Sequence, residues 1–377
     1  MSRGFATGEF RARLARAQAR MQDERLGALL LTTEPEVRYF TGYLTRFWES
    51  PSRPWFLVVP VNGDPIAVIP SIGAALMGKT WISDIRTWSA PDLVDDGVSL
   101  LAETLREVGG PVGVPSGHET HLRMPLTDYQ RLGNSVELRD DSGIMRSLRM
   151  VKSEAEIDKI RTACAIAGRS FDRVGEIAGE AVPLEKVFRD FQRLCLEEGA
   201  DWVPYLAGGA GPLGYDDVIS AATKTPLQRG DVLMLDTGLV HDGYFCDFDR
   251  NFAIGAALPE AKAAWRQLME ATEAGRESAK PGATAADVFH AMDRIVTGGT
   301  GEGDAGRLGH GLGMQLTEWP SLIAGDHTVL EPGMVLTLEP GIEIPGGGLL
   351  VHEDNIVIRD GAPEQLSPVA AAELPEI

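Results

Sequence analysis

Apolar positions recur at helical spacing through Glu9–Arg25, among Arg and Gln, and predict an amphipathic helix. Ala28–Thr32 reads as a buried strand. Pro54–Pro60 and Pro65–Pro70 are β-rich runs joined by Val61-Asn62-Gly63-Asp64, whose Asn-Gly is a hairpin signal because both positions tolerate positive φ. Asp84–Trp88 predicts a strand, Gly97–Val108 a helix and Val112–Val114 another strand. Such alternation marks an α/β region. Near Arg146–Lys152 the pattern changes. Ser153-Glu154-Ala155-Glu156 is a capping box that opens a long helix through about Glu176. Leu184–Glu198 predicts a second helix, and Asp231–Thr237 and Tyr244–Ile254 predict strands. A helix over Pro259–Ser278 follows, then one over Ala285–Val296 capped by Thr284. β structure returns at Val335–Glu339 and Leu349–Ile358. A glycine cluster at Gly298–Gly313 is the one low-complexity tract, and no internal repeat is visible.

The chain has 377 residues, 35 Lys+Arg and 55 Asp+Glu, a formal net charge of −20. That length predicts two domains. The charge is unevenly placed: residues 1–150 carry 17 basic and 18 acidic groups, and the rest carry 18 and 37. An acidic surface repels phosphate backbones and anionic lipid, which argues against nucleic-acid and membrane partners. Three scattered cysteines, Cys164, Cys195 and Cys246, fit neither a disulfide framework nor a cysteine-rich zinc site. The longest apolar runs, such as Leu26–Leu31 and Trp55–Val61, are far too short to span a bilayer. The N-terminus lacks a signal-peptide core. A cytoplasmic protein is expected.

The acidic half contains two opposed carboxylate pairs. In Val232–Arg250, a hairpin centred between His241 and Asp242 would set Asp236 opposite Asp247, about 5 Å apart at Cβ. Like charges there repel, and Asp is disfavoured in strands. A cation between them removes both objections. Near the C-terminus, a turn at Gly346-Gly347-Gly348 would set Glu339 opposite Glu353. Four carboxylates plus one imidazole make a hard, oxygen-rich site for one or two divalent ions. The candidate imidazole is His310, in Gly309-His310-Gly311-Leu312-Gly313, where the glycines permit close packing.

The two Asp eleven residues apart, the Gly-His-Gly-x-Gly, the Glu-Pro-Gly after a strand and the final Glu-Asp resemble the pita-bread metallopeptidase family. It includes methionine and Xaa-Pro aminopeptidases, prolidase and creatinase. The resemblance implies an α/β N-terminal domain of creatinase/prolidase type over residues 1–147, with Tyr39-Phe40-Thr41-Gly42-Tyr43 in its usual place. It implies an α+β pita-bread catalytic domain over 152–377. Asp236, Asp247, His310, Glu339 and Glu353 would then hold two divalent ions (Mn, Fe, Co or Zn), and Glu339 would double as the acid/base acting on water. Hydrolysis of a C–N bond in an Xaa-Pro dipeptide or related small molecule follows, in a homodimer. Trp48 and Trp55, near the Pro51–Pro54 loop, are candidates for the contact between subunits.

Two departures widen the expected chemistry. Family peptidases carry a second His seven residues after the ligand His, where this chain has Thr317, before Glu318-Trp319-Pro320. They carry another upstream of the first Asp, where Gly214-Tyr215-Asp216-Asp217-Val218-Ile219-Ser220 has none. Losing one such donor costs roughly two to three orders of magnitude in rate. A specialised non-peptidase member, an ectoine- or creatine-type hydrolase or a dimethylsulfoniopropionate lyase, is therefore an alternative. A non-catalytic binding protein of the same fold is a third reading, disfavoured because all five ligand-type residues are present.

Thr317, Tyr215, Asp217 and His352 join Glu339 as candidate catalytic residues. Tyr215, Asp216 and Asp217 read equally as an exposed loop. His352, in Val351-His352-Glu353-Asp354 where many relatives have Arg-Ile-Glu-Asp, would face away from Glu353 and reads equally as a supporting or a surface histidine. Asp249 reads as an outer partner or a salt bridge, and Cys246 as packing. His118, His121, His290 and His327 have no companion residues. Gly301–Gly306 fits GxGxxG, but it follows a helix rather than a strand, so a dinucleotide site is not expected. GxxxxGK[ST], GxSxG and HExxH are absent.

Overall fold

The computed structural model describes residues 3–50, 54–300 and 306–377. Residues 51–53 of the Pro51–Pro54 loop and residues 301–305 of the Gly301–Gly306 run lie outside the described residues. The chain forms two units, Met1–Arg149 and Met150–Ile377.

The first unit is built on a six-stranded sheet. Its strands are β1 (Ala28–Leu31), β2 (Phe56–Pro60), β3 (Ile66–Pro70), β4 (Asp84–Trp88), β5 (Val112–Val114) and β6 (Leu138–Asp140), in the order β4-β3-β2-β1-β5-β6. β2 and β3 form the hairpin that Asn62-Gly63 predicts, with Phe56 opposite Val68. Leu30, Phe56, Val58 and Val68 pack with Leu101 and Leu105 of the helix Val98–Val108. Trp48 and Trp55 correct an expectation. Trp55 is 1% exposed and Trp48 9%, each packed with the other and Trp55 also with Tyr43 and Phe47. Their rings are consumed inside this unit and offer little surface to a second subunit.

In the second unit the Ser153 capping box forms as written. Ser153 Oγ accepts from the Glu156 N–H, and Glu156 Oε2 accepts from the Ser153 N–H. The helix Glu154–Asp172 ends earlier than its apolar pattern suggests, in a short turn at Val174–Glu176. Helices Leu184–Glu198, Pro259–Ser278 and Ala285–Val296 follow as read.

One sheet of this unit pairs β7 (Trp202–Gly211), β8 (Val232–His241), β9 (Tyr244–Phe245) and β10 (Phe248–Ala253). β7 escapes the pattern because it ends in Gly208-Gly209-Ala210-Gly211. The structure shows why glycine is there: a Cβ on Gly208 would lie 2.1 Å from Met234 O. The β8–β9 turn is the two-residue Asp242-Gly243, with φ of 48° and 82°, as a type I′ turn requires. That corrects the expected register. His241 faces Tyr244 and Asp236 faces Asp249, so Asp247 is not the direct partner of Asp236. Lys159 pairs with Asp242 and anchors the turn to the long helix.

The other sheet runs β12 (Glu318–Ser321), β11 (Gly309–Gly311), β13 (Val335–Leu338), β16 (Asp354–Val357) and β17 (Glu364–Gln365). Between β13 and β16 lies a two-stranded extension, β14 (Gly341–Glu343) with β15 (Leu349–Val351). Leu338 faces Asp354 and Gly341 faces Val351, so one register, centred on the glycine turn, holds on both sides of a gap. Glu339 and Glu353 sit opposite each other in that gap.

Gly243 has no low-cost replacement. Gly243→Ala should lower stability to urea by about 1–2 kcal/mol, the cost of a side chain at positive φ. An unchanged unfolding midpoint would contradict the I′ turn.

Candidate metal centre

Three carboxylates from two hairpins meet despite the shifted register. Oxygens of Asp236, Asp247 and Glu353 lie within 4.8 Å of one another, and all three residues are buried. Asp236 projects from the middle of β8. Asp247 lies in the break between β9 and β10, where its backbone is held from outside the ladder. Asn355 Oδ1 accepts the Asp247 N–H at 2.9 Å, and Asn355 Nδ2 donates to Asp247 O at 2.6 Å and to Thr337 Oγ1 at 3.0 Å. Asn355, fully buried on β16, is thus the bracket that places Asp247.

His310 enters from β11, between β12 and β13. Cβ atoms on Gly309 and Gly311 would lie 2.1 Å from Thr337 O and 2.2 Å from Trp319 O, so only glycine lets the two neighbouring strands close on the histidine. His310 Nδ1 lies 2.8 Å from Gly311 O, an acceptor only, so Nδ1 carries a proton. Nε2 lies 3.2 Å from Asp247 Oδ2 and 3.9 Å from Glu339 Oε2. All five expected residues therefore converge. Among them Glu339 alone keeps solvent contact, with 29% of its side chain exposed.

The electrostatics are unfavourable for carboxylates alone. Burial, then the charges of Asp247 and Asp249, pushes Asp236 well above the usual range. Burial, with Asp236, Glu339 and Asp247 nearby, does the same to Glu353. Asp247 and Glu339 are raised chiefly by burial. Asp236 Oδ1 and Glu339 Oε2 are buried without a hydrogen-bond partner. Unsatisfied oxygens in one carboxylate cluster are what a cation would resolve, so the donor set fits a hard divalent ion.

Two neighbours were not read from the sequence. Tyr205, on β7 opposite Gly238, shares the sheet face of Asp236 and lies near its carboxylate. Arg307 lies close enough to hold Asp247 and Glu339 down against their burial. Arg307 Nη2 also donates to Thr317 Oγ1 at 3.3 Å. Nothing local marks either residue: one sits in a glycine-rich run, the other beside the Gly301–Gly306 segment.

The remaining expected residues fall elsewhere. Tyr215 is 2% exposed, and its hydroxyl accepts the Val351 N–H at 2.6 Å and lies 3.4 Å from Asn251 Oδ1. It packs in the core around Trp265 and is not presented to a substrate, a correction set by nonlocal packing. Asp217 is exposed, and its Oδ1 caps the N–H groups of Ile219 and Ser220; it builds a turn rather than joining the cluster. Glu318 is buried in an ion pair with Lys152 at 3.1 Å and accepts the Gln315 N–H, clamping the loop after His310. Cys246 is buried packing. His352 is also buried. It sits against the Trp265 ring, with Nδ1 3.3 Å from Asp249 Oδ1 and Nε2 3.3 Å from Asp354 Oδ2. The structure gives it a supporting position, not one that touches substrate.

Comparison with known proteins agrees with this geometry. The profile described as Metallopeptidase family M24 matches residues 158–360, more than half of the chain, and that of the Creatinase/Prolidase N-terminal domain matches residues 13–151. The chain belongs to metallopeptidase family M24. It is 31% identical over 366 residues to the probable dipeptidase PepE of Mycobacterium tuberculosis, covering 96% of this chain and 95% of that one. It is likewise 31% identical over 245 residues to the Xaa-Pro dipeptidase of Pyrococcus horikoshii, covering 64% and 69%. The crystal structure of dipeptidase PepE from Mycobacterium ulcerans superposes with a TM-score of 0.85 at 28% identity, covering 99% of both chains. Recombinant prolidase from Thermococcus sibiricus, at 23% identity, shares the fold with a TM-score of 0.87, covering 99% of this chain and 100% of that one. The M24 chain is accordingly a metallohydrolase with the pita-bread fold. Among the described residues no helix is long and apolar enough to cross a membrane.

Asn355→Ala would strand the Asp247 N–H and leave its carbonyl only Thr337 Oγ1, at 3.4 Å. Global stability should fall by about 2–3 kcal/mol, since buried polar groups lose their partners. Urea unfolding checks it, and a change under about 0.5 kcal/mol would contradict the bracket.

Proposed function

We propose that this M24 enzyme is a dinuclear hydrolase of a C–N bond in a small substrate, with Xaa-Pro dipeptides as the first class to test. The convergence of Asp236, Asp247 and Glu353 oxygens within 4.8 Å, beside His310 Nε2, carries the reading. Asp236, Asp247, His310, Glu339 and Glu353 would hold two divalent ions, drawn from Mn, Fe, Co or Zn. Such ions lower the pKa of a water toward neutrality and polarise a carbonyl.

The protein's own groups define the rest. The proton on His310 Nδ1, donated to Gly311 O, leaves Nε2 as the ligating nitrogen. Glu339, with 29% of its side chain exposed, would take a proton from water and return it to the leaving nitrogen. Burial of the other four excludes competing water and strengthens every charge interaction inside. The proposed catalytic domain spans 152–377, the N-terminal domain spans 1–147, and the enzyme works as a cytoplasmic homodimer.

A second reading has its own observation. Thr317, where relatives have histidine, is engaged by Arg307, and Tyr215 is engaged by Val351. Neither supplies the imidazole that a peptide intermediate meets in the family peptidases. That favours a specialised member, an ectoine- or creatine-type hydrolase or a dimethylsulfoniopropionate lyase. A non-catalytic binding protein has no such support, because the five residues converge.

Protein purified without chelator should carry close to two divalent ions, and less than about one per chain would contradict the site. Turnover of Xaa-Pro dipeptides should fall by roughly 10²–10⁴ in Glu339→Gln. Turnover of the small osmolytes but no dipeptide would select the second reading.

A further inference from the structure

The ladder between β13 and β16 stops at Leu338–Asp354, and between β14 and β15 at Gly341–Val351. His352 and Glu353 occupy the gap. The His352 N–H bonds Pro340 O at 3.1 Å, but Glu353, a proposed ligand, turns its N–H to a side chain, Asp249 Oδ1, at 2.8 Å. Asp249 is a fully buried carboxylate on β10, directly opposite Asp236. Its Oδ2 accepts from Asn251 Nδ2 at 2.9 Å, and the same amide donates to Val351 O at 2.8 Å. Asp249 therefore stands in for the missing rung where the ladder breaks at Glu353.

A buried carboxylate beside Asp236 and Glu353 is repelled by both and needs something to hold it. His352 is in place. Nδ1 lies 3.3 Å from the Asp249 oxygen that accepts the Glu353 N–H, an ion-pair contact without hydrogen-bond geometry. Nε2 lies 3.3 Å from Asp354 Oδ2. Asp354 is itself fixed by Arg250 at 3.0 Å, Ser367 at 2.7 Å and Gln365 at 2.9 Å. The imidazole packs edge-on against Trp265, with ring centroids 5.2 Å apart. Its outer side borders a cavity of about 180 Å³ lined by Thr272, Glu273, Arg276 and Gln365. His352 thus faces the helix Pro259–Ser278, away from the metal ligands.

We propose that His352 is a positioning residue: it ties Asp249 to the fixed Asp354, and Asp249 in turn holds Glu353 in register as a metal ligand. The chain Asp354–His352–Asp249–Glu353 does through side chains what a continuous ladder does elsewhere in the sheet. It rests on the two-ion reading above and adds the residue that makes one of its ligands rigid.

Manganese titration of chelator-treated protein by calorimetry tests this without any substrate. His352→Phe keeps a ring against Trp265 and removes both nitrogens. It should weaken the more loosely held ion by roughly 10–100-fold, the usual effect of removing an outer partner of a ligand. Its metal-free melting temperature should also fall, since Asp249 and Asp354 lose a buried partner, so the affinity is the deciding readout. His352→Gln, which can still reach one carboxylate, should recover part of the affinity. Electrostatics alone predicts the opposite sign, because removing a group that can carry positive charge tightens cation binding. A variant that melts earlier yet binds both ions with wild-type affinity would show a merely structural histidine and overturn the proposal. Should His352→Phe fail to fold, His352→Leu, which also removes both nitrogens and leaves Asp249 charged, must show the same loss or the proposal falls. Wild-type protein that binds no manganese would overturn the two-ion reading and this inference together, and only that outcome touches both.

Discussion

Mutual repulsion among buried carboxylates is the constraint on which the second unit depends. Asp236, Asp247, Asp249, Glu353 and the partly exposed Glu339 come from two strands and two strand breaks and crowd together. In water each ionises below pH 5, yet burial and proximity push Asp236, Asp247, Glu339 and Glu353 upward. No fold collects such groups unless their separations are fixed by something stronger. The strengths are visible: a glycine-lined slot for His310, the Asn355 bracket on Asp247, and the Asp249–His352–Asp354 link behind Glu353. Arg307 lies near Asp247 and Glu339, and the Nδ1–H of His310 fixes its ring on Gly311 O. The acidic excess of the second half is in part this cluster.

Much of this was legible because the relevant signals are local. The Ser153 and Thr284 caps sit in short motifs, and both helices begin where those motifs place them. The C-terminal register follows from one glycine turn, and Glu339 falls opposite Glu353 as the spacing implies. The β8–β9 hairpin departs from the symmetric register, since the chain turns on Asp242-Gly243 rather than between His241 and Asp242. Two consecutive positive φ values favour the Asp-Gly step, and that preference outweighs the symmetry of the acidic residues around it. The three carboxylates still meet because Asp247 leaves the ladder, which pairing arithmetic cannot anticipate.

What stayed hidden depends on contacts between distant segments. Tyr215 looked like a loop residue near a substrate, but Val351, 136 residues away, takes its hydroxyl. Tyr205 and Arg307 carry no motif, yet one lies beside Asp236 and the other near Asp247 and Glu339. β7 was obscured by glycines that exist so that β8 can approach. In each case the residue type is uninformative until the fold supplies its neighbour. Membership of family M24 was legible for the converse reason: five ligand types in fixed order survive as a linear pattern.

Differential scanning calorimetry of chelator-treated wild type and Asp236→Asn, each with and without Mn²⁺, tests the repulsion account most directly. Removing one buried charge should raise the metal-free melting temperature of Asp236→Asn above that of the wild type. Mn²⁺ should raise the wild-type value progressively with concentration, as any ligand specific to the native state does, and move the variant much less. A metal-free variant less stable than the wild type, together with a wild-type melting temperature indifferent to Mn²⁺, would contradict it.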